Sequence, residues 1–224
     1  MDNLKRYTDS LEQAEAFYRP KVADLAKRAA EIKARPIRSG RDALLAEHLN
    51  RLNGNVVSAR HGLVMRERAL FVIGESGAGK TFALNLQFKE NEAFHRYLDA
   101  RDRPVSPLVT LELRASMRRK DLAMALIELL NPDHVFHARV TEDALFKLLK
   151  TQLRERGVLY LHLDEAQHLL KGKDVLAVQN LLKSLLDTEW PLNIILSGVE
   201  SLSKLLKDDN QLANRSHVMR FERL

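Results

Sequence analysis

Cysteine is absent from the chain, and that omission removes disulfides, thiolate zinc sites and cysteine nucleophiles from consideration. Whatever chemistry occurs here uses oxygen and nitrogen groups, in a reducing compartment. Also missing is any run near the roughly 18 consecutive apolar residues that a membrane-spanning helix needs, and the polar start, residues 1–10, lacks the apolar stretch of a signal peptide. The expected location is therefore cytoplasmic, with no membrane partner. No internal repeat and no low-complexity segment breaks the pattern. What is present is 224 residues, 45% of them hydrophobic, enough to bury one substantial core with a smaller appendage.

The net charge is +6, and residues 1–70 carry 14 basic against 9 acidic side chains. Nearly all the excess thus precedes residue 70. Such a surplus raises the local concentration of polyanions such as DNA or RNA, although a solvated, mildly basic surface reads the same way. In this region Ser10 and Gln13 have capping-box spacing, and Leu11, Ala14, Phe17, Tyr18, Val22, Leu25, Ala29 and Ile32 recur at helical intervals. Pro20 should kink or divide that helix. Pro36 and Gly40 punctuate the chain, and Ser39 can cap a second helix ending near Gly54. Residues 1–55 are thus read as a basic helical arm, which either packs on the next domain or docks a partner.

From about Val56 short apolar runs alternate with helical stretches, the signature of a parallel sheet with crossover connections. Five strands are expected: Ala69 to Ile73, Leu108 to Leu113, Val158 to Leu163, Asn193 to Ser197 and Met219 to Glu222. Helices are expected from Thr81 to about Leu98, near 119–130 and 142–155, and from Val175 to about Glu189. The fold class is α/β, a P-loop nucleoside-triphosphatase sheet sandwiched by helices in residues 56–224, behind the arm.

Residues Gly74, Glu75, Ser76, Gly77, Ala78, Gly79, Lys80 and Thr81 match G-x-x-x-x-G-K-[ST] in full, after an apolar strand and before a helix. Glycines let the backbone wrap phosphates, whose charge meets loop amides and the positive end of the following helix. Lys80 can reach the β and γ phosphates and Thr81 can ligate Mg²⁺; Phe82 borders the loop and joins the expected ATP contacts. The second half of the site is the apolar strand from Val158 that ends in Asp164 and Glu165. Asp164 can hold Mg²⁺ directly or through water, and Glu165 can polarise the attacking water as general base. Two acids there could also simply begin a helix. Ser197 ends the neighbouring strand near the expected γ phosphate, and His162 shares the side of the strand that carries Asp164, where a structural hydrogen-bonding role is favoured. Trp190 is expected to pack at a helix end.

These segments, together with Leu163 to Leu170, Pro191 to Gly198 and Gln211-Leu-Ala-Asn-Arg215, resemble the AAA+ ATPases of the TniB and TnsC type, which serve DNA transposition and are related more distantly to MuB. The resemblance covers about residues 56–224. It implies ATP hydrolysis with Mg²⁺, Ser197 as sensor 1, and Arg215 as an arginine finger given to the ATP of the next subunit in a ring or helical filament. Guanidinium suits that task independently, since it presents a fork of donors to developing phosphoryl charge. Arg220 is a weaker candidate, and a plain surface role for Arg215 stays open. The resemblance further implies double-stranded DNA, a transposase and a target-selector protein as partners. By position Arg118, Arg119 and Lys120 would contact DNA phosphates, or else form the solvated start of a helix. Other readings are a helicase-loader-like DNA-remodelling ATPase and a nucleotide-gated interaction module that ignores DNA. The helical lid usual in AAA+ proteins has no counterpart before Leu224, so slow hydrolysis is the expectation.

Overall fold

The computed structural model describes residues 8–13, 20–34, 38–115, 117–171, 175–207 and 209–223. The chain divides into two compact units, Met1–Gly40 and Arg41–Leu224. In the first, residues 8–13 are helical, so Ser10 lies inside a helix and not at its cap. Helix α1, Pro20–Ala34, begins at the proline, where a missing amide donor is harmless because the first-turn donors have no helical partner anyway. Ala14, Phe17 and Tyr18, part of the expected apolar pattern, lie outside the described residues.

The second unit is built on a five-stranded parallel sheet. Its strands are β1 (Ala69–Ile73), β4 (Leu108–Glu112), β5 (Tyr160–Asp164), β6 (Asn193–Gly198) and β7 (Ser216–Arg220), in spatial order β4-β5-β6-β1-β7. Two short strands, β2 (Tyr97–Leu98) and β3 (Pro104–Val105), form a separate antiparallel ribbon that the sequence pattern did not announce. The remaining helices are α2 (Gly40–Arg60), α3 (Lys80–Glu90), α4 (Arg119–Leu130), α5 (Glu142–Glu155), α6 (Val175–Leu186) and α7 (Asn210–Ala213).

Because side chains alternate across a strand, the apolar run of β1 feeds two cores. Ala69, Phe71 and Ile73 join buried residues of α4, α5 and α6, whereas Leu70 and Val72 join Leu45, Leu49 and Leu52 of α2 and Leu84 and Phe88 of α3. A sheet covered on both faces needs continuous hydrophobic strands, which is what this sequence supplies. The same parity places Tyr160 and Ile195 in the second core, and with them His162, Asp164 and Ser197 on the α3 side of the sheet.

Several element ends differ from expectation for local reasons. The helix expected to reach Leu98 stops at Glu90, because Asn91 turns extended and its side chain accepts from the Ala93 amide, a local bond that competes with helix continuation. α2 runs past Gly54 to Arg60, with Asn55 donating to the Glu67 carbonyl at 2.7 Å; residue 55, the expected end of the arm, falls within it. α6 ends at Leu186, short of Glu189, where buried Arg68 donates to the carbonyls of Leu186, Thr188 and Trp190. A cation at a helix C-terminus satisfies carbonyls the helix cannot. Trp190 donates to the Val158 carbonyl at 2.5 Å. The last strand begins at Ser216, not Met219, fixed by the pairing of Ala69 with Ser216.

Leu49→Ala empties a fully buried position of α2 and is expected to lower unfolding free energy by about 2–5 kcal/mol. Leu44→Ala, at an exposed position of the same helix, should change it by less than about 0.5 kcal/mol. Urea denaturation followed by circular dichroism distinguishes the two.

Candidate functional site

Parallel register brings the ends of β1, β5 and β6 to one edge, and the loop from Gly74 to Gly79 crosses it. Gly77 and Gly79 hold φ of 75° and 92°, a left-handed conformation that costs other residues about 1 kcal/mol or more. At Gly74 a Cβ would collide with the Phe221 backbone, so only glycine fits between β1 and the segment after β7. The Gly74 amide donates to the Gly198 carbonyl at 3.1 Å. Lys80 is buried, its Nζ donating to the carbonyls of Gly74 at 2.9 Å and Glu75 at 2.8 Å. Burial lowers its pKa, and the nearby charges of Glu165 and Asp164 oppose that shift. No side chain caps the α3 N-terminus, which leaves backbone donors for an anion.

Asp164 is the meeting point of the site. Its Oδ2 accepts from Thr81 Oγ1 at 2.7 Å, and its Oδ1 accepts from Ser197 Oγ at 2.6 Å and from the Glu165 amide at 2.9 Å. Burial raises the pKa of this carboxyl, but the hydrogen bonds from Ser197, Thr81 and the Glu165 backbone outweigh it and leave a net lowering; it is a carboxylate at neutral pH. Ser197 spends its only proton on Asp164, so His162 Nε2, 2.8 Å away, must be the donor to Ser197 Oγ. His162 is therefore the neutral Nε2–H tautomer. Its Nδ1 is buried without a partner, its ring packs against Phe88 at 5.2 Å between centroids, and burial holds its pKa far below the ordinary value.

The hydroxyl of Thr81 and the carboxylate of Asp164 are hard oxygen donors from two different elements, the set Mg²⁺ takes in such sites. Among the described residues no group of three or more His, Cys, Asp or Glu could hold a metal ion. A magnesium ion here would complete its shell with phosphate and water oxygens, as its reluctance to shed water favours. Both residues fit it.

Glu165 has φ of 53°, rare for a residue other than glycine, asparagine or aspartate. Its Oε2 accepts from Gln167 Nε2 at 2.5 Å. Sequence reasoning missed Gln167, although it stands only two residues beyond the acidic pair; no spacing rule marks it. Phe82 is exposed beside the loop.

Arg215 lies elsewhere. It directly precedes β7 at the edge where β1 begins, its carbonyl accepting from the Ala69 amide, at the opposite end of the sheet from the loop. Its guanidinium pairs with Asp187 at 2.5 Å, beside a cleft of about 470 Å³ lined by Val64, Met65 and Arg66 among others. Arg220, across from Ile73, sits at the loop end and pairs with Glu200 at 2.6 Å. Of the basic cluster before α4, Arg118 is exposed, Arg119 pairs with Glu142 at 3.0 Å, and Lys120 donates to the Val140 carbonyl at 2.9 Å.

A family model described as an AAA domain matches residues 63–206, more than half of the chain, and the chain belongs to that family. An AAA domain as such points to nucleoside-triphosphatase chemistry and implies ATP, typically with Mg²⁺. No curated protein matches the sequence. Solved structures of similar fold include Cdc6p from Pyrobaculum aerophilum, 19% identical, covering 83% of this chain and 46% of that one with a TM-score of 0.55. The Aeropyrum pernix ORC1 protein in complex with DNA is 16% identical, covering 83% and 46% at 0.53. The Aeropyrum pernix ORC2 protein is 14% identical, covering 84% and 49% at 0.53. The chain therefore spans about half the length of these structures. Among the described residues no helix is long and apolar enough to cross a membrane.

Because the His162 pKa is depressed in the folded chain, the unfolded chain binds the extra proton below its ordinary 6.5, so stability falls as pH falls through that value. The loss should reach about 1.4 kcal/mol one unit below it. His162→Gln should flatten this part of the profile, as read from urea midpoints at pH 7.5 and 5.5.

Proposed function

We propose that this chain is an ATP-dependent, DNA-binding AAA+ regulator of transposition. Subunits loaded with ATP assemble on double-stranded DNA as a ring or helical filament; the assembly recruits a transposase, with or without a target-selector protein, and hydrolysis acts as its timer. One observation carries the assembly: Arg215 stands at the far end of the sheet from the phosphate loop. Ala69 pairs with Ser216 and Ile73 with Arg220, so about four strand steps of roughly 3.3 Å each separate them. A guanidinium so placed cannot serve its own chain's triphosphate, and suits a neighbour's.

Within one subunit the geometry above supports the following roles. The amides from Glu75 to Thr81 take the phosphates, and Lys80 exchanges its two loop carbonyls for phosphate oxygens. Magnesium held by Thr81 and Asp164 would neutralise phosphate charge and align the triphosphate. Glu165 orients and deprotonates the attacking water, while Ser197 holds the Asp164 carboxylate and stands near the γ phosphate. The proposed division of labour keeps residues 1–55 as a basic arm ahead of an ATPase core in residues 56–224, with the α2 part packed into that core. Arg118, the exposed member of its cluster, is the first choice for DNA phosphates, and the cytoplasm is the proposed location.

The ORC1 structure of similar fold holds DNA, which supports a DNA-associated role and keeps a helicase-loader-like reading as the second one. The partner separates them: a transposase in the first, a helicase in the second. ATP turnover with and without duplex DNA, at 50 and 200 mM salt, tests either against a module that ignores DNA. Stimulation should weaken steeply at the higher salt because phosphate contacts release counterions.

Lys80→Ala should abolish ATP binding in a calorimetric titration. Arg215→Ala should keep binding but lower turnover by about 10³-fold or more. Mixing the two variants should restore activity if the finger acts between subunits, since the Lys80 variant still offers its arginine to the neighbour's ATP. A mixture that stays inactive removes the shared site.

A further inference from the structure

Gln167 lies in the short 3-10 helix Ala166–Lys171 after β5, and its amide is used at both ends. Nε2 donates to Glu165 Oε2 at 2.5 Å, and Oε1 accepts from the Val199 amide at 3.3 Å. The orientation is fixed by chemistry: a carboxylate only accepts and a backbone N–H only donates, so the nitrogen must face Glu165. The neighbouring strand is shaped to admit this side chain. At Gly198, the last residue of β6, a Cβ would collide with Gln167 Oε1 and lie 2.8 Å from a Leu202 methyl carbon. Gly198 also accepts from Gly74 of the phosphate loop through its carbonyl. One amide therefore links the Glu165 carboxylate to the strand end that carries Ser197 and touches the loop.

We propose that Gln167 is a positioning residue for ATP hydrolysis: it fixes the Glu165 carboxylate relative to the β6 terminus, so that the oxygen taking the proton from water is held at a set distance from the bound phosphates. The inference rests on the reading of Glu165 as general base. The backbone of Glu165 is in the left-handed region, which is rare for a glutamate. Without a second anchor the carboxylate would rotate about its three side-chain torsions. A general base must lie within hydrogen-bond reach of the proton it removes, and small displacements of positioned groups cost large factors in rate. Gln167 supplies that anchor from a half-buried position where the ends of β5 and β6 meet the phosphate loop. The bond occupies one carboxylate oxygen and leaves the group a second with which to accept a proton.

The test compares single-turnover ATP cleavage by the full chain, in excess over ATP and with Mg²⁺ and duplex DNA, across two backgrounds. Gln167→Met keeps the side chain's length and removes both hydrogen bonds. Gln167→Glu keeps an acceptor for the Val199 amide but sets oxygen against oxygen at Glu165, isolating the Nε2 contact. In the otherwise unaltered chain each substitution should slow cleavage about ten-fold or more while the Kd for ATP moves less than two-fold, because neither touches the phosphate-binding residues. On a Glu165→Gln background the same substitutions should change the residual rate by less than two-fold. Equal losses in both backgrounds would show a merely structural role, and no loss in the first would remove the anchor; either overturns the inference. If Glu165→Gln itself cleaves ATP at the full rate, the reading of Glu165 fails instead, and the two failures are told apart. Melting temperatures identify a variant that does not fold, in which case the other carries the test.

Discussion

The site depends on one buried negative charge being fully hydrogen-bonded. A carboxylate withdrawn from water is strongly unfavourable unless donors replace its hydration, and Asp164 receives them from three places: Thr81 at the start of α3, Ser197 at the end of β6, and the Glu165 amide. Thr81 and Ser197 belong to elements with their own core contacts. The carboxylate thus ties the phosphate loop to two adjacent strands, and any shift of β6 against β5 would break a charge-assisted bond, the stronger kind. The neutral His162 behind Ser197 completes the arrangement without adding a second charge.

This convergence follows from sheet geometry more than from any single motif. In parallel strands of matched register the C-terminal ends align, and side chains two apart share a face. Leu163 pairs with Leu196, and Val72 with Ser197. Asp164 and Ser197 therefore arrive at the same height and on the same side as α3, although 33 residues separate them in sequence. The all-hydrophobic β1 between two cores is the other half of the same rule, since both faces of the sheet are covered.

What was legible in the sequence was the part governed by local pattern. The phosphate loop, the acidic pair, the strand ending at Ser197 and helices 119–130 and 142–155 all announce themselves through periodicity and residue type. Three kinds of feature were not legible. Helix ends at Glu90 and Leu186 are set by single side chains, Asn91 and Arg68, whose partners lie outside any periodic pattern. The contacts of Gln167 join residues 32 apart across the top of the sheet. Arg119 and Lys120 read as free cations but bind Glu142 and the Val140 carbonyl at the head of α5, leaving Arg118 as the exposed member.

The opposite end of the sheet follows a different logic. Arg68 is buried there, and burial together with the adjacent Arg215 charge works against its own charge; the three carbonyls it caps hold it in place. Arg215 next to it is thus a second cation in a crowded corner, balanced only in part by Asp187, a residue more than half exposed. An ion pair in such solvent contact is worth about 0–1 kcal/mol, and the Arg68 charge weakens the corner's hold on Arg215 further. Phosphate oxygens presented by a neighbouring subunit would offer bidentate, charge-assisted bonds in place of that weak pair. On the proposed reading, the free subunit keeps its finger loosely parked, and the exchange of Asp187 for a neighbour's triphosphate is downhill only where nucleotide is bound. Assembly and nucleotide occupancy would then be linked through one arginine, with Asp164 and Lys80 holding the other half of the site.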